Sequence, residues 1–395
     1  MTIARTLGQL SHLHELLIQL VASLPDAELR RCRHPALYPP GWYLGRAVYL
    51  ETYWLRERLA GDDDLAHRVR HIFAKGACTP AAAGALLPPP DHLLNWALEI
   101  QDEHLTRLAN PGLLPPGGPD PEWLASWLLQ SESLVYEELL LAVNAGRLGT
   151  PTAAFEVARP LVPAPLDDDI VAVAQGHYRI GAREGVAFDN ELPPQMVELH
   201  NFRIAARPVS NAQYLAFMQA GGYARDDVWS EDGLVWRDRT RTGQPFAWRA
   251  DAAGHWYGLG LNGPYELLPD EPVNGVSYFE AQACAAWAAA QGGALQGAVL
   301  PHEYQWETAV RMQAITDIGR SLEWCANRFA PYDQYRRPDD PELATADFDD
   351  RHFSLRGTTL HTQPCLRRPS LRRCGRPGDN HRLAGFRLVF PPLQA

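Results

Sequence analysis

Apolar residues in the first third of the chain recur at helical spacing. Segments of this kind run over residues 4–24, 41–60, 91–109 and 121–145, and proline-rich joints at 36–40, 87–90 and 111–122 separate them. Each such segment carries one apolar stripe, and four stripes joined in this way predict an antiparallel four-helix bundle. Asp91, directly after Pro88-Pro89-Pro90, is the expected N-cap of the third helix. The second helix poses a question. "GWYLGRAVYLE" (41–51) is apolar almost all the way round, yet it carries Arg46 on the face of Trp42, Tyr49 and Tyr53.

The pattern changes at "GTPTAAFEVARPLVPAPLDDD" (149–169), a proline-rich stretch with an acidic end that reads as a linker. The expected division is a helical bundle over 1–147, a linker over 148–169 and a second domain over 170–395. In that domain apolar and polar positions alternate in "GHYRIGA", "QMVELHNFRIAARPVS" and "AGFRLVF", which predicts strands. Helical spacing returns in "NAQYLAFMQAG" (211–221), capped by Ser210 or Asn211, and in "FEAQACAAWAAAQG" (279–292). The fold class expected is therefore an all-α unit followed by an α+β unit rich in irregular structure.

Composition narrows the function. The 395 residues carry a net charge of -11, which repels phosphate backbones and argues against a nucleic-acid partner. No run reaches the ~20 apolar residues of a membrane span, and the N-terminus lacks the apolar core of a signal peptide. None of the six cysteines forms a CxxC pair. Reduced thiols in a cytoplasmic protein are the expectation.

Several stretches in the second half resemble the sulfatase-modifying-factor (formylglycine-generating enzyme) superfamily, which has a C-type-lectin-like fold. They are "FRIAARPVSNAQYLAFMQAGGY" (202–223), "EPVNGVSYFEAQACAAWAA" (271–289), "LPHEYQWETA" (300–309), "LEWCANRFAPY" (322–332), "LRGTT" (355–359) and "LAGFRL" (383–388). With a DinB-like helical bundle in front, the arrangement resembles the sulfoxide synthases of ergothioneine, ovothiol and selenoneine biosynthesis. That resemblance implies an oxidoreductase in which iron(II), held by three bundle histidines, activates oxygen and joins a sulfur or selenium donor to the imidazole of a histidine betaine. One histidine ends a W-x-L-x-H motif on the second helix, and two form H-x-x-x-H on the fourth, where residues i and i+4 share a face.

Here the second-helix motif reads "GWYLGR", with Arg46 at the histidine position. The fourth helix, "LLQSESLVYEELLL" (128–141), offers Ser131 and Val135 in one register, or Glu132 and Tyr136 in the next. Neither register supplies an imidazole, so no metal is expected at these positions, and iron(II) is expected as a cofactor only if the standard family chemistry survives. An Arg46–Glu132 ion pair, with the Ser131 and Tyr136 hydroxyls, is expected to fill the space. A permanent guanidinium charge repels a cation, and two buried charges must pair.

Other histidines are His67 and His71 four apart, His12 and His14 two apart and so diverging on a helix, and His104. The first pair, flanked by arginines, reads as a solvated face. Cys365 and Cys374 are nine apart, wrong for the copper-binding pair of formylglycine generation, although neighbouring arginines lower a thiol's pKa. In "LRRPSLRR" (366–373), Arg368 and Arg372 are candidates to grip a substrate carboxylate with paired hydrogen bonds. Tyr332 falls where the family it resembles carries tyrosine-bearing active-site loops, which makes it the candidate proton donor, although the first aromatic of that loop, Phe329, has no hydroxyl. Tryptophans 229, 236, 248 and 256 read as packing.

Three functions follow. The chain is a degenerate synthase homologue binding a small amino-acid-like or thiol ligand, beside an active paralogue or a second copy. Or it is an active C–S or C–Se bond-forming synthase with a relocated metal. Or it is a C-type-lectin-like interaction module.

Overall fold

The structure is a computed structural model that describes residues 3–114, 118–149, 155–166, 169–183, 185, 187–345 and 348–392. The chain divides into two compact units. One comprises Met1–Thr150 with Pro338–Leu343, the other Pro151–Arg337 with Ala344–Ala395. Part of the expected linker, 150–154 and 167–168, lies outside the described residues.

The first unit is built of α1 (Ile3–Ala22), α2 (Asp26–Leu29), α3 (Pro40–Thr52), α4 (Asp64–Phe73), α5 (Pro80–Leu86), α6 (Pro90–Ala109) and α7 (Pro121–Leu148). The long helices α1, α3, α6 and α7 form the bundle, each packing on its neighbours. Their inward stripes have helical spacing: Leu10, Leu13, His14, Leu17 and Val21 on α1, and Leu93, Ala97, Gln101, His104 and Leu108 on α6.

Two local expectations change. The helix expected over 41–60 is α-helical only to Thr52 and continues as a π-helical stretch, Tyr53–Arg58. Asp91 is not the cap of α6. Pro89 holds that position and Pro90 opens the helix, because proline's fixed φ and missing N–H suit the first turn. Asp91 lies in that turn, where its charge meets the positive end of the helix dipole.

α3 lies close to α4 at Gly45. A Cβ there would sit 2.2 Å from the buried Phe73 ring. The glycine is what allows the contact.

The second unit contains β1 (Ile170–Val173), β2 (Gly176–Ile180), β3 (Gln195–Leu199), β4 (Phe202–Ala205), α8 (Asn211–Gln219), α9 (Glu231–Thr240), β5 (Trp248–Ala250), β6 (Trp256–Gly260) and β7 (Gly263–Glu266). α10 (Tyr278–Ala290), α11 (Glu303–Arg311), β8 (Ser321–Arg328), β9 (Phe353–Thr358), β10 (Arg373–Gly375), β11 (Ala384–Gly385) and β12 (Val389–Phe390) follow. They form small sheets ordered β1-β4-β12, β10-β9-β8-β11, β2-β3 and β5-β6-β7. β12 returns to pair antiparallel with β4, Val389 opposite Ile204, so the end of the chain closes the sheet that opens the unit. Ser210, not Asn211, caps α8, exchanging bonds with Gln213 in a capping box.

Its core is aromatic, and buried indole N–H groups find partners there. Trp324 donates to the Val276 carbonyl at 2.9 Å and Trp229 to that of Gly222 at 2.8 Å. Trp229, Trp236 and Trp248 are buried and Trp256 is half-buried. Charges inside this core are paired: Arg387 contacts Glu323 at 2.6 and 2.9 Å, with both side chains fully buried. Among the described residues, no helix is long and apolar enough to cross a membrane.

Two outcomes follow. Gly45→Ala drives a methyl into Phe73 and is expected to cost about 1–3 kcal/mol, read as a lowered denaturation midpoint. Glu280 of α10 is fully buried, and burial raises its carboxyl to about 7 against the bonds from Tyr223 and Ser277. Its contribution is complete below the unfolded pKa near 4.5 and is lost as pH rises towards 7, because the unfolded chain ionises first. Glu280→Gln should flatten that fall, a difference of up to about 3 kcal/mol between urea titrations at pH 4.5 and pH 7.5.

Candidate functional site

Arg46 answers the question posed by its helix. Its guanidinium donates to the Glu342 carboxylate through both terminal nitrogens, and at 2.9 Å to the Phe73 carbonyl. Glu342 also accepts from the Lys75 backbone N–H at 3.3 Å. Beside it, Asp340 accepts from the Tyr53 hydroxyl at 2.7 Å and pairs with Arg58 at 3.1 Å. Both acids come from the 338–343 segment of the first unit.

The expected Arg46–Glu132 pair is therefore not formed. The reason is angular: Arg46 faces α4 and the 338–343 segment, whereas Glu132 points into the bundle core. Ser131, Val135 and Tyr136 are half-buried on α7, and only Glu132 of that set is fully enclosed.

Glu132 belongs to a different constellation. Four helices each place one ionisable group on the inward face: His14 of α1, Glu51 of α3, His104 of α6 and Glu132 of α7, all buried. His14 Nε2 lies 2.6 Å from Glu51 Oε1 and 3.2 Å from Glu132 Oε2. His104 Nδ1 lies 2.8 Å from the other Glu51 oxygen, within hydrogen-bond geometry.

Electrostatics bind the group together. Burial alone would lower the His14 pKa, but the facing Glu51 and Glu132 charges outweigh it and raise it. Burial would raise Glu51, but His14 and His104 hold it below the usual carboxylate range. Glu132 is raised, by burial first and then by the Glu51 charge.

His14, Glu51 and Glu132 are, among the described residues, the one set of three imidazole, thiol or carboxylate donors gathered tightly enough to surround an ion. Spacing between histidines missed this site. The legible signal was a polar residue on an apolar stripe: His14 stands four after Leu10 and three before Leu17.

The other candidates lie in the second unit. Arg372 is buried, donating to Glu303 at 2.8 and 2.9 Å and to the carbonyls of Asn190 and Ala330 at 2.7 Å. Its guanidinium sits 4.0 Å from the Tyr332 ring centre and 4.6 Å from that of Phe329. Arg368 holds Glu191 and the Cys365 carbonyl. The carboxylates these arginines grip in the structure are the chain's own. The Tyr332 hydroxyl is buried without a hydrogen-bond partner, and burial raises its pKa. The six cysteines are thiols. For Cys374 the expected lowering by arginines is overturned, since burial dominates and pushes the thiol up to about 11. His67 and His71 lie on α4, with His71 exposed and His67 outside the buried cluster.

A surface cleft of about 460 Å³ opens beside α10. Arg328, Arg351 and Arg376 line it with Asp232 and Asp350, over Tyr278 and Phe353, which stack at 3.9 Å. It offers both charge signs above an aromatic floor.

Residues 158–317 match the family described as sulfatase-modifying factor enzyme 1-like domain. The hercynine oxygenase of Mycobacterium tuberculosis is 32% identical over 309 residues, covering 76% of this chain and 68% of that protein. The chain belongs to the hercynine oxygenase family. The hercynine oxygenase of Mycolicibacterium thermoresistibile is 31% identical over 309 residues, 76% of this chain and 64% of its own length. The chain thus spans about two thirds of these relatives. Among solved structures, PvdO from Pseudomonas aeruginosa aligns with 60% of this chain and 100% of its own at 16% identity and a TM-score of 0.37.

For a hercynine oxygenase relative, the test is whether iron fits where the resemblance implied it. At Arg46 with Ser131 and Val135 it does not, and in the other register Glu132 and Tyr136 offer oxygen atoms but Arg46 still offers none. A guanidinium offers no lone pair, valine offers no donor, and Arg46 is already neutralised by Glu342.

Arg46→Met should leave Glu342 enclosed without its partner and cost about 3–5 kcal/mol. Arg46→Met with Glu342→Gln should recover most of that loss, which a double-mutant cycle of denaturation midpoints reads directly.

Proposed function

We propose that this hercynine oxygenase relative is an oxygen-dependent oxidoreductase of the sulfoxide-synthase type that works without the three-histidine set. Its acceptor is a small, histidine-betaine-like amino acid and its donor a thiol or selenol. One observation carries this reading: the bundle core keeps His14, Glu51, His104 and Glu132 fully enclosed although Arg46 stands at the histidine position. Enclosing four ionisable groups is costly, several kcal/mol per unpaired charge, and an apolar core of equal volume is often more stable. A scaffold that had only lost its site would not need them.

Iron(II), when bound, would supply the activation of oxygen. The chain's own residues would supply the rest. The cleft beside α10 in the second unit, with arginines and aspartates over an aromatic floor, suits a zwitterion.

The Arg46–Glu342 bridge favours a second reading, a non-catalytic binder of the same ligand, because that position is permanently closed to a metal. An oxygen electrode separates the two. The protein as purified is given histidine betaine with a thiol or a selenol, and products are read by mass spectrometry. Oxygen uptake that requires both substrates, with an adduct at the imidazole, is the expected outcome. Heat of betaine binding without uptake would establish the binder instead.

A further inference from the structure

We propose that His14, Glu51 and Glu132 bind one divalent transition-metal ion inside the bundle, with His104 as the positioning residue that orients Glu51. This goes beyond the functional reading, because metal binding stands whether or not the chain turns over a substrate.

Geometry comes first. Metal bonds to imidazole nitrogen and carboxylate oxygen are about 2.0–2.2 Å, which places neighbouring donors about 3 Å apart. The donor atoms of His14, Glu51 and Glu132 all lie within 4.8 Å of one another, and the two closest pairs are 2.6 and 3.2 Å apart.

The second observation is independent. His14 Nε2, Glu51 Oε1 and both Glu132 oxygens are buried without a hydrogen-bond partner. These atoms converge on one another at 2.6 and 3.2 Å instead of reaching any other hydrogen-bonding group of the chain. An enclosed carboxylate with neither oxygen satisfied is rare in proteins and needs a partner.

Charge balance agrees. Two carboxylates and a neutral imidazole carry two negative charges, which a divalent ion cancels. The other Glu51 oxygen meets His104 Nδ1 at 2.8 Å. Ligating carboxylates are commonly fixed by such an outer hydrogen bond.

The site differs from the position that the W-x-L-x-H resemblance implied. Glu51 follows Arg46 by five residues, about 7.5 Å along the helix and about 140° around it. Nitrogen and oxygen donors without a thiolate select Fe(II), Mn(II), Co(II) or Zn(II) rather than Cu(I).

The full chain, stripped by chelator and titrated with Co(II), should bind one equivalent, read by calorimetry and visible absorption. Glu132→Gln and His14→Gln should each weaken binding more than about 100-fold, and His104→Gln by about 10–100-fold. Arg46→Met and a His67→Gln/His71→Gln double variant should leave it unchanged. Circular dichroism checks that each variant folds. If a core variant does not fold, anomalous scattering from Co(II)-soaked wild-type crystals decides. A peak among His14, Glu51 and Glu132 upholds the site, and a peak elsewhere overturns it. Absent binding by the wild type, or binding indifferent to Glu132→Gln and His14→Gln in folded protein, also overturns it. Co(II) bound at this site by a protein that shows no oxygen uptake would sink the proposed reaction and leave the site standing.

Discussion

A carboxylate with no access to water must have both oxygens met by other groups, and Glu51 is met from two sides. His14 faces one of its oxygens and His104 the other. That requirement ties α1, α3 and α6 together at one level of the bundle, and Glu132 adds α7. Apolar stripes would bring four such helices together with latitude in register. The ionisable groups remove that latitude, since a shift of one residue would turn one of them away and leave its partner unpaired at a cost of several kcal/mol.

The same rule explains Arg46. A guanidinium on a largely buried helix needs a counter-ion, and no acid in α7 faces it. Glu342 supplies the charge from a segment remote in sequence, joined by Asp340, which holds Tyr53 and Arg58. The second unit repeats the pattern: Arg372 on Glu303, Arg368 on Glu191 and Arg387 on Glu323. Clustered arginines in a loop need not be ligand grips. Here two of them, Arg368 and Arg372, hold buried or nearly buried acids and lend the loop its shape.

The architecture was legible because it rests on periodic patterns and on motifs in order. The four long helices show as apolar stripes, and β2, β3 and β4 show as alternation. The π-helical turn after Thr52 was not legible, since its residues continue a helical pattern. α4 and α5 lie in a region of mixed charge and alanine that carries little stripe. For the site, Arg46 stood out as a charge on a greasy helix, but its partner could not be found: Glu342 is 296 residues away and no periodicity links them. Glu132 was identified as an inward group and given the wrong partner. Spacing to His12 speaks against His14, and no histidine spacing points to His104. A set with one member from each helix has no such spacing, and only the stripe position of each residue points to it.

The change at Arg46 and the composition of the core are parts of one electrostatic arrangement. Three neutral imidazoles around a divalent ion leave two positive charges uncancelled. A guanidinium on the same helix would then be repelled. A histidine and two carboxylates leave such a centre neutral, and the repulsion vanishes. Glu342 independently neutralises the guanidinium itself. An arginine at the histidine position is therefore compatible with a cation in this bundle, provided that the cation's ligands carry its counter-charge, and Glu51 and Glu132 do.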